Sequence, residues 1–352
     1  MNVDPLALAR PEILALKPYE HAAWDPRLER LHANESPWRV PNDESGAGLN
    51  RYPEPQPKEL VEALAALYGV SPQQLLVGRG SDEGIDLLTR AFCAAGRDAV
   101  LVCPPTFGMY AVAARIQGAG VVSVPLRREA GFALDLPALE AALTPQVKLV
   151  YLCTPNNPTG NALSDADVLA VLQACAGKAL VVVDEAYAEF SGHPGHARRL
   201  ADFPQLVVLR TLSKAHGLAG ARVGSLLASP PIVALLRKII PPYAMAQPTV
   251  EAALQALSPP AQAVARERIA ATIAERERMA ESLAKSTRVV RVWPSAANFL
   301  LVEFHDAGAA LQSIKDAGLI VRDFRGAAGL SEALRITLGT PEQNGRVIRS
   351  LA

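Results

Sequence analysis

The segment PQLVVLRTLSKAHGLAGARVG, residues 204–224, runs from an apolar strand into a loop of small residues that holds Lys214, with Arg222 eight positions on. An ammonium in such a setting loses hydration and is costly unless it is paired or chemically changed, and a desolvated amine is a nucleophile and a proton carrier. ALVVVDEAY places Asp184 at the end of another apolar strand, where a carboxylate calls for a cationic partner, and Tyr187 follows three residues later. Thr211 and Ser213 stand just before the lysine. After QLLVG comes Arg79-Gly80-Ser81-Asp82, opening a helix. Its free N–H groups and positive end suit a phosphate, although Ser81 serves equally as an N-cap. PPTFGMY offers Phe107 and Tyr110 at a strand end, for stacking on a planar ligand or for core packing. TPNNPTGN fixes an irregular loop presenting Asn156 and Asn157.

One cofactor needs all of these groups together. Pyridoxal phosphate needs a lysine to hold its aldehyde as a Schiff base and a carboxylate to keep its ring nitrogen protonated as an electron sink. It also needs an anion cradle for the phosphate, with aromatic and amide contacts for the ring and its phenolic oxygen.

The elements that must position these residues alternate. QLLVG precedes a helix from Ser81 to about Ala94; AVLVC precedes one over about 107–117; VKLVYL precedes one over about 165–175; ALVVVDEAY, LVVLRTL and ARVGSLLAS follow. Apolar strands alternating with amphipathic helices indicate an α/β fold with a mostly parallel sheet covered on both faces, which binds ligands where strands end. Upstream, residues 1–50 read as an irregular arm, and KELVEALAALYGV reads as a helix stopped by Gly69. Downstream, prolines punctuate PPIVALLRKIIPPYAMAQP, a charged helix covers 262–285 with its arginines and glutamates on a solvated face, and VVRVWP, NFLLVEF, LQSIKDAG, LIVRD and LRITLG form a smaller α+β unit. The expected division is 1–45 as an arm and part of the small domain, 46–245 as the large domain and 246–352 as the small C-terminal domain.

Composition bounds the function. At 352 residues the chain has room for a large core and two domains. Thirty-five basic residues balance thirty-five acidic ones, which argues against a general nucleic-acid or membrane surface. Cys93, Cys103, Cys153 and Cys175 are scattered through apolar segments with no metal-ligand spacing and read as small buried hydrophobes, so no metal is expected. The N-terminus has no continuous apolar run, and no segment approaches the ~20 apolar residues of a membrane span. A soluble, cytoplasmic setting is expected.

TPNNPTG, VVVDEAY and TLSKAHGLAGARVG resemble the fold-type I aminotransferases, with the lysine and the arginine eight residues on as the most specific pair. RYPEP at 51–55, GRGSDEGIDLLTRAFC at 78–93 and PPTFGMY resemble their histidinol-phosphate branch, and the likeness runs from KPYE to LRITLGT. The resemblance implies a mixed seven-stranded sheet in the large domain and a homodimer with active sites at the subunit interface. It implies that Lys214 binds the cofactor aldehyde, Asp184 pairs with the ring nitrogen, and Asn157 and Tyr187 contact the phenolic oxygen. Gly80, Ser81, Asp82, Thr211, Ser213 and Arg222 would hold the phosphate, with threonine at 211 where serine is common. Phe107, or else Tyr110, would stack on the ring, and Tyr52 would reach the neighbouring subunit's cofactor phosphate.

On the substrate side the resemblance makes Arg335 the grip on an α-carboxylate, Arg322 and Tyr19 helpers of the histidinol-phosphate phosphate, and Asn34 a lining residue. Asn34 lies in Asn-Glu-Ser-Pro, where Asn-Glu-Asn-Pro is common. The implied reaction passes an amino group from histidinol phosphate to 2-oxoglutarate, making glutamate. Threonine-phosphate decarboxylase and aromatic amino acid aminotransferase share the site, and a cofactor-dependent transcription regulator would need a DNA-binding region for which the N-terminus has no room.

Overall fold

The computed structural model describes residues 4–20, 25 and 27–352; the other positions of the N-terminal arm lie outside the described residues. Seven strands form the larger sheet: β1 (Leu75–Gly78), β2 (Ala99–Val102), β3 (Gly120–Ser123), β4 (Val147–Cys153), β5 (Leu180–Asp184), β6 (Leu206–Thr211) and β7 (Gly224–Ala228). Their order is β1-β7-β6-β5-β4-β2-β3, and β7 alone runs against the rest. The reason lies in the β6–β7 connection, which carries Lys214. It contains only the 3-10 turn Ala219–Ala221, with no helix to cross the sheet, so the chain turns back antiparallel.

Both faces of this sheet are buried. Val181 and Val183 point into one apolar layer while Leu180 and Val182 point into the other, and Leu206/Val208 and Val207/Leu209 divide in the same way. This two-sided burial explains the uninterrupted Leu/Val runs. The edge strand β3 is part-exposed and carries only GVVS, too short and mixed to read as a strand.

The helix Lys58–Tyr68 ends on Gly69 in the left-handed region, as its sequence predicts. The helices Ser81–Phe92, Met109–Gln117 and Asp165–Ala174 fall within two residues of their expected bounds. The prolines beyond residue 229 start helices rather than merely breaking them: Pro230–Arg237 and Gln247–Ala256 each carry proline in the first turn, where no N–H is missed.

The second sheet is antiparallel throughout, in the order β10-β11-β9-β8, with β8 (Val289–Val292), β9 (Phe299–Phe304), β10 (Arg322–Asp323) and β11 (Ala333–Thr337). The long helix begins at Pro259 and ends at Leu283. Its arginines are not all solvated. Arg276 is buried and donates to the carbonyls of Phe190 and Ala297, tying this helix to a loop beside the Lys214 region. The four cysteines are free and buried, and burial pushes each thiol up to about 12, so they are inert packing groups.

Candidate active site

Because β1, β2, β4, β5 and β6 run the same way, their C-terminal ends share one edge, and β7 starts there. The residues singled out in the sequence converge at this edge. Ser81, Asp82, Phe107, Asn157, Asp184, Tyr187, Thr211, Ser213, Lys214 and Arg222 line one hollow, together with Cys153 and Ala186.

The anion cradle sits at the start of the helix Ser81–Phe92, capped by Gly80 at φ +84°. Two glycines make room for it. A Cβ on Gly80 would lie 2.5 Å from Nη2 of Arg222, and one on Gly224 would lie 2.2 Å from the carbonyl carbon of Gly80. The Arg222 guanidinium can therefore lie across the turn, and the start of β7 can press against it. Arg222 itself takes the left-handed φ of +57°, an uncommon backbone state for arginine that aims its side chain here. It donates to Asp82 Oδ2 at 3.2 Å and to Ser213 Oγ at 3.5 Å, while Thr211 Oγ1 lies 2.9 Å from Ser213 Oγ. Guanidinium, hydroxyls and first-turn N–H groups together form a donor set for a phosphate.

Lys214 lies over the ring of Tyr187, with Nζ 5.7 Å from its centroid. Burial first, then the charges of Arg335 and Arg222, hold its ammonium below the usual lysine range. Tyr187 is buried edge-on against Phe299, and burial raises its phenol.

Asp184 is 3% exposed, and burial lifts its carboxyl to about 6. Its hydrogen-bond partners among the described residues are neutral: the Tyr110 hydroxyl donates to Oδ2 at 2.7 Å and the Ala186 N–H to Oδ1 at 3.1 Å. The sequence led us to expect a cationic partner, and among the described residues none is hydrogen-bonded or ion-paired to it. A buried carboxylate facing the Lys214 hollow with only neutral donors is matched to a cation brought by a ligand, which is what a protonated pyridine nitrogen provides. On this observation and on the glycine-walled anion cradle, the residues fit pyridoxal phosphate.

Phe107 and Tyr110 take different positions. Phe107 lines the hollow; Tyr110 is fully buried behind it, stacked on Tyr151 at 4.5 Å and edge-on to Phe107 at 5.6 Å. Tyr110 is therefore not placed to stack on a ligand, and its bond to Asp184 went unforeseen. Phe107 precedes the helix Met109–Gln117 and Tyr110 lies in its first turn, so no helical spacing signalled the bond. Asn156 is also structural: it is buried among Thr106, Pro105 and Thr159.

Arg335 reaches the site from the second sheet. Its Nη1 donates to Oδ1 of Asn157, and its guanidinium lies 5.2 Å from the Phe299 ring and 5.4 Å from the Phe324 ring. Its Nε is buried with no hydrogen-bond partner. Directly opposite in the β10–β11 register stands Arg322. Like charges facing each other across a strand pair are unfavourable, so this pair is suited to an anion between them.

Three expected residues stand apart from the hollow within one chain. Tyr52 is half exposed and stacked on Tyr243 at 4.7 Å; Tyr19 is exposed; Asn34, at φ +55°, lines a separate hollow with Glu35, Asn50 and Tyr52. Among the described residues no helix is long and apolar enough to cross a membrane.

The family model for class I and II aminotransferases matches residues 30–351. The histidinol-phosphate aminotransferase of Xanthomonas euvesicatoria pv. vesicatoria is 56% identical over 323 residues, covering 91% of this chain and 89% of that protein. That of Stenotrophomonas maltophilia is 50% identical, covering 99% and 97%. Among solved structures, the histidinol-phosphate aminotransferase of Sinorhizobium meliloti in complex with pyridoxal-5'-phosphate matches with a TM-score of 0.76 and 30% identity, over 86% of this chain and 84% of that one. Fold, site and relatives agree: the chain belongs to the class I and II aminotransferase family, in its histidinol-phosphate branch.

Proposed function

We propose that this chain is a pyridoxal-phosphate-dependent aminotransferase that passes the amino group of L-histidinol phosphate to 2-oxoglutarate, giving imidazole acetol phosphate and glutamate in histidine biosynthesis. The observation that carries the reading is the shared hollow of Lys214 and Asp184, an amine held below its ordinary range and a buried acid whose hydrogen-bond partners among the described residues are neutral. When bound, pyridoxal phosphate supplies a carbonyl carbon for the amino group and a ring that accepts the electron pair left as the substrate carbon loses its proton.

The chain's own residues do the rest. Gly80, Ser81 and Asp82 at the helix start, with Thr211, Ser213 and Arg222, would grip the phosphate. Phe107 would cover the ring, Asn157 and Tyr187 would contact its phenolic oxygen, and Asp184 would hold the proton on its nitrogen. Burial first, then the guanidinium charges of Arg335 and Arg222, shift Lys214 Nζ towards the neutral amine. It can bind the aldehyde and, once displaced, carry the proton from the substrate carbon. Arg322 and Arg335, opposite one another, suit the phosphate of one substrate and the carboxylates of the other, which lets one pocket serve both half-reactions.

We read the working form as a homodimer. Leu28, Leu31, Trp38, Val40 and Tyr52 are exposed large apolar side chains within one stretch of the arm, an arrangement suited to cover by a second copy. Tyr52, Tyr19 and Asn34 would then complete a site of the assembly.

A substrate panel tests the function. Histidinol phosphate, phenylalanine and threonine phosphate are each supplied with and without 2-oxoglutarate, and glutamate and carbon dioxide are followed. Glutamate from histidinol phosphate is expected. Carbon dioxide from threonine phosphate, with no glutamate from histidinol phosphate, would replace this reading with a decarboxylase.

A further inference from the structure

We propose that Asp165, His193 and His196 form a binding site for a divalent transition metal, zinc by its donor set, outside the Lys214 hollow. One ligand atom from each of the three lies within 4.8 Å of the others. The two imidazoles converge on one carboxylate oxygen: His193 Nε2 is 3.0 Å and His196 Nε2 is 3.2 Å from Asp165 Oδ1. Metal–ligand bonds of about 2.0–2.1 Å at tetrahedral angles separate neighbouring ligand atoms by roughly 3.3 Å, so these spacings suit a shared ion.

The protons also point that way. Glu185 Oε1 accepts from both the backbone N–H and the Nδ1 of His196, at 2.7 Å each, and its Oε2 accepts from Arg210 at 2.9 Å. Because Glu185 already takes the His196 backbone N–H on Oε1 and the Arg210 guanidinium on Oε2, it is placed as an acceptor, and His196 Nδ1 donates to it. His196, only 2% exposed, is left with Nε2 buried, without a hydrogen-bond partner and aimed at a carboxylate oxygen. Two acceptors at 3.2 Å call for a cation between them. Carboxylate, Nδ1–H, then an unshared Nε2 is also the outer-shell arrangement that fixes the tautomer of zinc-binding histidines.

The neighbours leave the site open to the ion. Arg198 and Arg199 approach Asp165 through Oδ2, at 2.7 and 3.4 Å, which leaves Oδ1 to the imidazoles. His193 Nδ1 accepts from the Gly195 N–H at 3.0 Å, so the neutral ring carries its proton on Nε2. Metal binding must release that proton to solvent as the nitrogen–metal bond forms. Asp165 and His193 are part-exposed, which gives an entry path and room for a water as fourth ligand. The ion would pin the start of the helix Asp165–Ala174 to the loop after β5.

The test uses the full-length, cofactor-loaded protein, stripped with a chelator and titrated with cobalt chloride or zinc chloride. One equivalent should bind, with cobalt giving visible tetrahedral bands that zinc abolishes, and with about one proton released per ion near pH 7. His193→Ala and Asp165→Asn should each weaken binding at least tenfold, on the order seen when a metal site loses support, with aminotransfer unchanged. His193 is part-exposed, so its variant keeps the test sound if His196→Ala fails to fold. No saturable uptake, which would mean that a proton alone bridges His196 and Asp165, overturns the proposal. So does uptake undiminished in His193→Ala.

Discussion

The hydroxyl of Tyr110 donates to Oδ2 of Asp184 across 2.7 Å in a fully buried pair, joining residues 74 apart in sequence. Burial raises the Asp184 carboxyl to about 6, and the Tyr110 bond opposes that rise. Tyr110→Phe keeps the stack on Tyr151 and removes the donor. A hydrogen bond to a charged group contributes about 1.5–3 kcal/mol, or roughly one to two pH units in the carboxyl. Asp184 can pair with a cationic ring nitrogen only as the carboxylate, so the variant should release cofactor on acidification at a midpoint about one unit higher than wild type. Visible absorbance against pH reads this directly; an unmoved midpoint would separate Tyr110 from the charge on Asp184.

The same burial predicts a pH dependence for the cofactor-free protein. Between the ordinary value of 3.8 and about 6, folded Asp184 keeps a proton that the unfolded chain has released. Stability therefore falls as pH rises across that window, by about 3 kcal/mol once the carboxyl is fully ionised. Asp184→Asn removes the charge; its amide oxygen can still accept from the Ala186 N–H, while its NH2 can only donate to the Tyr110 oxygen, reversing that bond. In cofactor-free form the variant should melt above wild type at pH 7.5, and the gap should shrink towards pH 4, while turnover is lost by several orders of magnitude. A variant less stable than wild type at pH 7.5 would contradict this.

The cradle tolerates no side chain at its two glycines. Gly80→Ala puts a Cβ 2.5 Å from the flexible end of Arg222, at a positive-φ extended backbone state that costs a side chain about 1–3 kcal/mol. Arg222 can swing aside, so the protein should fold with cofactor affinity lowered about tenfold. Gly224→Ala meets backbone instead, 2.2 Å from the carbonyl carbon of Gly80, and should lower the melting temperature markedly. Equal effects of the two substitutions on folding would refute this distinction.

Much of this site was legible because it sits on buried strands. Leu180–Val183 and Leu206–Leu209 are apolar on both faces, so a charged or hydroxylated residue at the end of such a run, Asp184 or Thr211, stands out. The reversal of β7 was not legible from pattern, because strand direction is set by what lies between strands, and a loop built around Lys214 has no periodicity. Pairings between distant residues were also hidden. Tyr110 with Asp184, Arg276 with the carbonyls of Phe190 and Ala297, and Glu185 with His196 and Arg210 depend on tertiary placement. The prolines at 230 and 248 read as interruptions but lie in the first turns of helices, since proline lacks only an N–H that a first turn leaves unused.

Arg335 should be intolerant of lysine. Asn157, Phe299 and Phe324 fix the plane of its guanidinium, and a planar fork can hold a carboxylate through two bonds where an ammonium offers a point charge. Arg335→Lys should cut kcat/KM for 2-oxoglutarate about 100-fold, equivalent to roughly 3 kcal/mol, and leave the cofactor spectrum unchanged. A change of only a few-fold would move the carboxylate grip to Arg322.

The position of Tyr52 yields a prediction that a single subunit cannot satisfy. Within one chain Tyr52 stacks on Tyr243 and lines a hollow separate from that of Lys214. If a second copy receives its hydroxyl, Tyr52→Ala and Lys214→Ala damage the same site from opposite subunits. Each homodimer should then be nearly inactive. In a mixed dimer, the site built on the intact Lys214 receives Tyr52 from the Lys214→Ala subunit and has every group, while the other site lacks both. Refolding the two variants together should restore activity well above either alone, in proportion to the mixed dimer isolated by two affinity tags. If Tyr52 acted within its own chain, every site in the mixture would lack one group and no activity would return.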